Sequence, residues 1–388
     1  MTASVFSLEG KGIKFNTASD IEPFLKDLQD DVTEIRLSGN TFGVEASEAL
    51  AAVLKDKRKL ENAQMADIFT GRLREEIPAA LTHLLGALLQ CPDLHTVNLC
   101  DNAFGPTAAT PLEDFFTKHK PLKHLYLQNN GMGPEAGARM ARALAANTDA
   151  KLETLICGRN RLENGSCSSW VACFTQHAET LKTVKMPQNG IRPEGIEGLM
   201  RDGLSRCTVL ECLDMQDNTF TQRGSAALAA ALPKWPSLRE LAVGDCLLSA
   251  RGGINVFEAL AKGENAKVET LRLQYNEIDA KGLEALVLAA KQGLPVVALV
   301  ELNGNKFAEE DGSIEQLQAL FEERGVGELD ELDDLEEDSD EEDEAADVDE
   351  EEDDEAASDK DAKPVSALDD AIERNLAAAL NATSLTSS

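Results

Sequence analysis

The sequence predicts an α/β solenoid, a stack of short parallel strands on an inner face with helices outside. Three observations predict it. A template L-x-x-L-x-L-x-x-N recurs ten times between residues 32 and 305. Its copies end 28, 34, 28, 30, 29, 29, 28, 30 and 29 residues apart, at the long end of the leucine-rich-repeat period. Between copies, apolar residues follow helical spacing, as in "GLEALVLAA".

The elements follow in chain order. Residues 1–31 read as an N-terminal cap, with "GIKF" strand-like and "DIEPFLKDLQ" helical. Residues 32–327 form the repeat domain. Each template copy alternates apolar residues, so it makes a strand with its Leu or Val side chains turned into the stack. The closing asparagine bonds turn backbone through its amide, and stacked copies make a ladder that satisfies buried polar atoms. The ladder positions are Asn40, Ile68, Asn102, Asn130, Asn160, Asn189, Asn218, Cys246, Asn276 and Asn305. A helix follows each. Pro134 and Pro193 stand four residues after their ladder asparagines, in the first helical turn, where a missing N–H leaves no bond unmade. "GSIEQLQALFEER" is the last helix and caps the stack. The expected fold is therefore a leucine-rich-repeat crescent of the ribonuclease-inhibitor type.

Composition changes after residue 327. Twenty-two acidic residues and no basic one lie between Glu328 and Asp359. Such a segment buries too little apolar surface to order itself, so a disordered acidic tail is expected over 328–359. In 360–388, "SALDDAIERNLAAAL" puts Leu368, Ile372, Leu376 and Leu380 at four-residue spacing. It reads either as a transient amphipathic helix or as a docking helix.

The net charge of −33 argues against nucleic acid as a partner and for a basic protein surface. The eight cysteines are scattered, with no C-x-x-C pair, and several occupy apolar template positions. Buried thiols in a reducing compartment are expected rather than disulfides or zinc ligands. "MTASVFSLEGKGIKF" has no basic region before an apolar core, and no stretch approaches the roughly 18 apolar residues of a membrane span. Neither secretion nor membrane insertion is expected. The sequence has no G-x-x-x-x-G-K-[ST] and no H-E-x-x-H. "GMGPEAG" reads as a strand-to-helix corner, so no cofactor, metal or small-molecule turnover is expected.

Two features point to a surface instead. The residue before each ladder position reads Gly39, Asp67, Asp101, Asn129, Arg159, Gln188, Asp217, Asp245, Tyr275 and Gly304. These side chains should line one rim, either as a solvated edge or as a partner-binding one. The second feature is the irregular copy "LENAQMADI", which puts Ile68 in the ladder slot. It is followed by about six extra residues in "FTGRLR", between strand and helix. The insert should project from the same rim and offer Arg72 and Arg74 to a phosphate or carboxylate. Pairing of an arginine with Glu75 or Glu76 is the alternative.

"DIFTGRLREEIP", "DNAFGPTA", "LYLQNNGMGPEAG", "CGRNRLENGS", "QNGIRPEGIE", "DNTFT", "DCLLSARG", "LQYNEI", "LNGN" and "RGVGELDELDD" together resemble the Ran GTPase-activating proteins. The resemblance covers roughly residues 1–345 and is carried by turn and rim stretches that the generic repeat does not dictate. The last 40 or so residues do not resemble the large C-terminal domain of animal members, so the chain is similar to the short fungal type. The resemblance implies a regulator rather than an enzyme, one whose rim binds the switch regions of Ran-GTP, with or without a Ran-binding protein. GTP and Mg²⁺ belong to Ran. It implies that a rim asparagine matching Asn129 helps order Ran's own glutamine against the attacking water. The arginine of the "TGR" loop, Arg72, is then a contact and not an arginine finger. Further contacts are expected at Arg74, Asp101, Asn102, Arg159, Arg161, Gln188, Asp217 and Asp245. A monomer in the cytoplasm, near the nuclear envelope and serving nucleocytoplasmic transport, is implied too. Two other readings stay open: a binding scaffold or inhibitor using the concave face, and an acidic histone chaperone, although those have shorter repeats.

Overall fold

The computed structural model describes residues 4–335. Among them, twelve strands form one parallel sheet, each paired with the next along the stack. They are Val5–Ser7, Glu34–Arg36, Asn62–Gln64, Thr96–Asn98, His124–Tyr126, Thr154–Ile156, Thr183–Lys185, Cys212–Asp214, Glu240–Ala242, Thr270–Arg272, Leu299–Glu301 and Glu328–Leu329. Register follows the template: Ile35 faces Ala63, Val97 faces Leu125, and Leu241 faces Leu271. These central residues are fully buried in one continuous core that runs from Phe6 to Phe321. Leu125 and Leu127 are buried as the alternation requires. Neighbouring strands lie about 4.8 Å apart and packed helices about 8–10 Å apart. The stack must therefore bend, with strands on the inside.

The asparagine ladder is continuous over long stretches. The Asn130 amide nitrogen donates to the carbonyls of Leu99 (3.0 Å) and Leu127 (2.8 Å), and its Oδ1 accepts from the Asn102 N–H at 3.0 Å. Asn160, Asn189 and Asn218 repeat the pattern. Cys246 fills its slot as a weak substitute, its Sγ lying 3.4 Å from the carbonyl oxygens of Met215 and Gly244. Ile68 brings no side-chain donor. Its backbone keeps the register, its N–H donating to Asn102 Oδ1 at 2.8 Å.

A second ladder joins the C-terminal ends of the helices. His119 Nε2 bonds the Leu94 carbonyl (2.7 Å), Asn147 the Phe116 carbonyl (2.8 Å), and His177 the Leu144 carbonyl (3.1 Å). Trp235 Nε1 donates to Leu204 (2.9 Å) and Asn265 to Leu232 (2.8 Å). Cys91 and Cys207 occupy the same slot, with Sγ at 3.6 Å from the Leu54 oxygen and 3.7 Å from the Phe174 oxygen. Apart from His119, whose acceptor Leu94 lies in the loop beyond the helix Ile77–Leu88, each residue reaches back to a carbonyl at the C-terminal end of the preceding helical segment, where carbonyls have room for a further donor. All eight cysteines are free thiols, six of them buried; burial pushes Cys157 up to about 12.

Three expectations need correction. Residues 1–31 are more than a cap. Val5–Ser7 joins the main sheet, Lys14–Phe15 pairs with Thr41–Phe42, and Ala18–Leu25 is a helix, so the segment is itself a repeat. It escapes the template because register puts Lys11 where an asparagine is expected. The ordered fold also passes residue 327. Glu328–Leu329 extends the sheet, and the Asp330 carboxylate accepts from the N–H groups of Leu302 (2.7 Å) and Asn303 (3.0 Å). Here an acidic side chain satisfies the open edge of the last full strand. The rest of the acidic segment and the stretch from Leu368 to Leu380 lie outside the described residues. Finally, "RPEGIEGLMRDGL" is not one regular helix. Pro193–Gly198 is α-helical, then a π turn covers Leu199–Gly203. A Cβ on Gly203 would lie 3.2 Å from the Val171 Cα and the Phe174 ring. Backbone is pressed against the preceding helix there.

Candidate functional site on the rim

The rim begins as a backbone requirement. All ten residues that precede a ladder position have φ between +49° and +73°. Several that follow one, including Ala103, Gly131, Arg161 and Leu247, are left-handed too. Each ladder asparagine thus sits in a tight corner. Left-handed backbone costs roughly 1–2 kcal/mol for most residues and less for Asn, Asp and Gly. That explains Gly39, Asp67, Asp101, Asn129, Asp217, Asp245 and Gly304 without any partner. It does not explain Arg159, Gln188 and Tyr275, where a long side chain is held in the same conformation. Such outliers point to use at the surface.

The structure sorts the expected site residues into two patches. Arg74, Asn129, Arg159, Arg161 and Gln188 line one open groove of about 570 Å³, together with Gly105 and Gly131. Asp217, Asp245 and Tyr275 line a smaller one of about 320 Å³ with Gln216 and Gln274. Partial burial and the charge of Asp245 hold the Asp217 carboxyl above its ordinary value. The Tyr275 hydroxyl donates to Asp334 at 3.0 Å. A rim of an acidic protein thus carries three arginines in one groove and two carboxylates in another.

Asn129 is exposed, and its amide orientation is fixed. Nδ2 donates to Asp101 Oδ1 at 2.8 Å. An ionised carboxylate only accepts, so the amide nitrogen must face Asp101. The Asn129 Oδ1 is then turned away from Asp101 as an acceptor. The backbone beneath is held by the Asn129 N–H on the Gly158 carbonyl, at 2.9 Å.

Two expected contacts lie elsewhere. Asn102 is only 2% exposed, with its amide on the Met65 and Leu99 carbonyls. It is a ladder rung and cannot touch a partner. Arg72 does not point outward either. Its Nε donates to Thr41 Oγ1 (2.9 Å), and its Nη2 to the carbonyls of Phe15 and Thr41 (3.0 Å each). The guanidinium ties the insert to the small N-terminal sheet. Gly43 leaves room for it, since a Cβ there would lie 3.1 Å from Arg72 Nη1. Neither Glu75 nor Glu76 is the partner in these bonds. The sequence reading passed over Leu73 and Leu247, both exposed at the rim. The signal for Leu73 was its setting in "GRLREE", an apolar residue among charges inside an insertion.

Stacked α/β repeats with a polar, left-handed rim define a leucine-rich-repeat recognition protein, and a family model described as "Leucine Rich repeat" matches residues 264–287. The chain is 43% identical over 338 residues to Ran GTPase-activating protein 1 of Saccharomyces cerevisiae, covering 83% of each chain. It is 34% identical over 318 residues to the Drosophila melanogaster Ran GTPase-activating protein, covering 78% of this chain but only 52% of that one. It is 28% identical over 217 residues to the ribonuclease inhibitor of Sus scrofa, covering 55% and 46%. The chain belongs to the Ran GTPase-activating protein family.

Proposed function

We propose that this chain accelerates GTP hydrolysis by the small G protein Ran. It binds Ran-GTP along the rim and uses Asn129 to hold Ran's own glutamine against the attacking water. The observation that carries the reading is the Asp101–Asn129 pair, which fixes the amide so that its oxygen faces away from Asp101, on a residue that lines an exposed, arginine-lined groove. A glutamine NH₂ on the partner donates to that oxygen, leaving the glutamine carbonyl free to orient water. The chain acts as a regulator: GTP and Mg²⁺ come with Ran, and the activator supplies preorganised polar groups. Arg74, Arg159 and Arg161 suit acidic groups on Ran, and Asp217 and Asp245 suit basic ones. The reading carries with it a monomer, alone or beside a Ran-binding protein, in the cytoplasm near the nuclear envelope.

Single-turnover hydrolysis of Ran-bound GTP at saturating activator tests it. Asn129→Ala should lower the saturated rate about 10²- to 10³-fold, as losing one preorganised group does elsewhere. Affinity for Ran-GTP should change little, because the contact strengthens in the transition state. A saturated Asn129→Ala rate equal to wild type removes Asn129 from the mechanism.

A further inference from the structure

The insert after Ile68 is a braced loop. Phe69 and Ile77 anchor its two ends in the core, and the Phe69 ring lies 6.2 Å from that of Phe104. The Thr70 hydroxyl bonds Asp67. Two successive turns shape the loop, Arg72 N–H on the Phe69 carbonyl and Glu76 N–H on the Leu73 carbonyl, both at 3.0 Å. Arg72 fastens its middle through the three bonds to Thr41 and Phe15. Leu73 stands between the two turns. At 66% it is the most exposed large apolar residue described.

One exposed leucine on a mobile loop means nothing. This one is presented by a loop ordered in advance, so little further ordering is lost when it binds. It sits next to Arg74, which lines the groove of Asn129, Arg159 and Arg161. We propose that Leu73 is an apolar anchor, which enters a depression on the protein partner bordered by a carboxylate that pairs with Arg74. The partner rests on the reading above: it is the G protein whose reacting face lies over Asn129. Arg72 then serves binding indirectly, by holding Leu73 in place. An apolar centre inside a polar rim is the common anatomy of a protein interface.

The test is single-turnover hydrolysis of Ran-bound GTP, titrated with wild type, Leu73→Asp and Leu73→Met, alongside thermal melts of each. Leu73→Asp should raise the half-saturating concentration about 10- to 100-fold, the factor expected for losing one buried leucine. Its saturated rate should stay within about twofold of wild type, and Leu73→Met should titrate like wild type. The melts should coincide, since the side chain is in solvent. If wild type activates and Leu73→Asp titrates within twofold of it, the anchor is wrong and the Ran reading stands. If wild type fails to accelerate hydrolysis at any concentration, the Ran reading fails and the anchor falls with it.

Discussion

Asp101 fixes Asn129 through a charged hydrogen bond, and that link can be broken without touching Asn129 itself. In Asp101→Asn the neighbour can donate as well as accept, so the Asn129 amide is no longer forced to turn its oxygen away from residue 101. The saturated hydrolysis rate should drop about tenfold, the worth of one hydrogen bond. Half-saturation should hold, which separates lost orientation from lost docking. At this scale the sequence was only partly legible. Counting from the ladder located the rim and the insert. It could not show that Arg72 turns back, because Thr41 and Phe15 lie 31 and 57 residues away along the chain. It read the abundance of Asp on the rim as solvation or partner binding, without a backbone cause. Left-handed backbone is the other cause: Asp101, Asp217, Arg159 and Gln188 all share it, but it favours the short Asp side chains and disfavours Arg159 and Gln188.

Helix ends tell the opposite story from strand ends. The strand ladder was legible because one residue type fills nearly every rung. The helix-end ladder was not, because Cys, His, Asn and Trp share one geometric task there. Two of its rungs titrate. Burial holds the His119 and His177 imidazoles below the ordinary histidine value, so the fold favours the neutral ring. His177 Nδ1 has no hydrogen-bond partner among the described residues. A proton placed there would be a buried donor with nothing to accept it. The sign follows: these rings contribute fully above about pH 6.5, the unfolded value, and their contribution is lost as pH falls below it. Asparagine already serves in this slot at 147 and 265. The double variant His119→Asn, His177→Asn should therefore lose less stability than wild type between pH 7.5 and pH 5. Urea midpoints at the two pH values measure this, and equal losses would remove the histidines as the cause.

At the scale of the whole molecule, the C-terminal boundary matters most. Truncation after Gly327 removes the last strand and the Asp330 carboxylate that closes the sheet edge. It should cost about 2–4 kcal/mol, the worth of two charge-assisted backbone bonds and a little sheet. Truncation after Leu335 keeps all of these and should melt like the full chain. Equal melting of the two truncations would show that the edge needs no closure. Composition placed the boundary too early because Asp330, Asp333 and Asp334 are read as tail charge. In the fold they bind Leu302, Asn303 and Tyr275. The two irregular ladder positions carry a different consequence. Among the described residues no side-chain amide links Asn40 to the repeat of Ile68, where Arg72 bonds Thr41 instead, and none links Asn218 to the repeat of Cys246, where a thiol is the weak substitute, whereas the run from Asn102 to Asn218 is unbroken. Repeat stacks gain stability from nearest neighbours, so weak couplings become fault lines along which parts open separately. Amide hydrogens in strands Val5–Ser7 and Glu34–Arg36 should exchange with solvent as one cooperative group and those from Thr96–Asn98 to Cys212–Asp214 as a slower one. The Asn129 groove lies in that slower block, and the braced loop lies at the seam beside it.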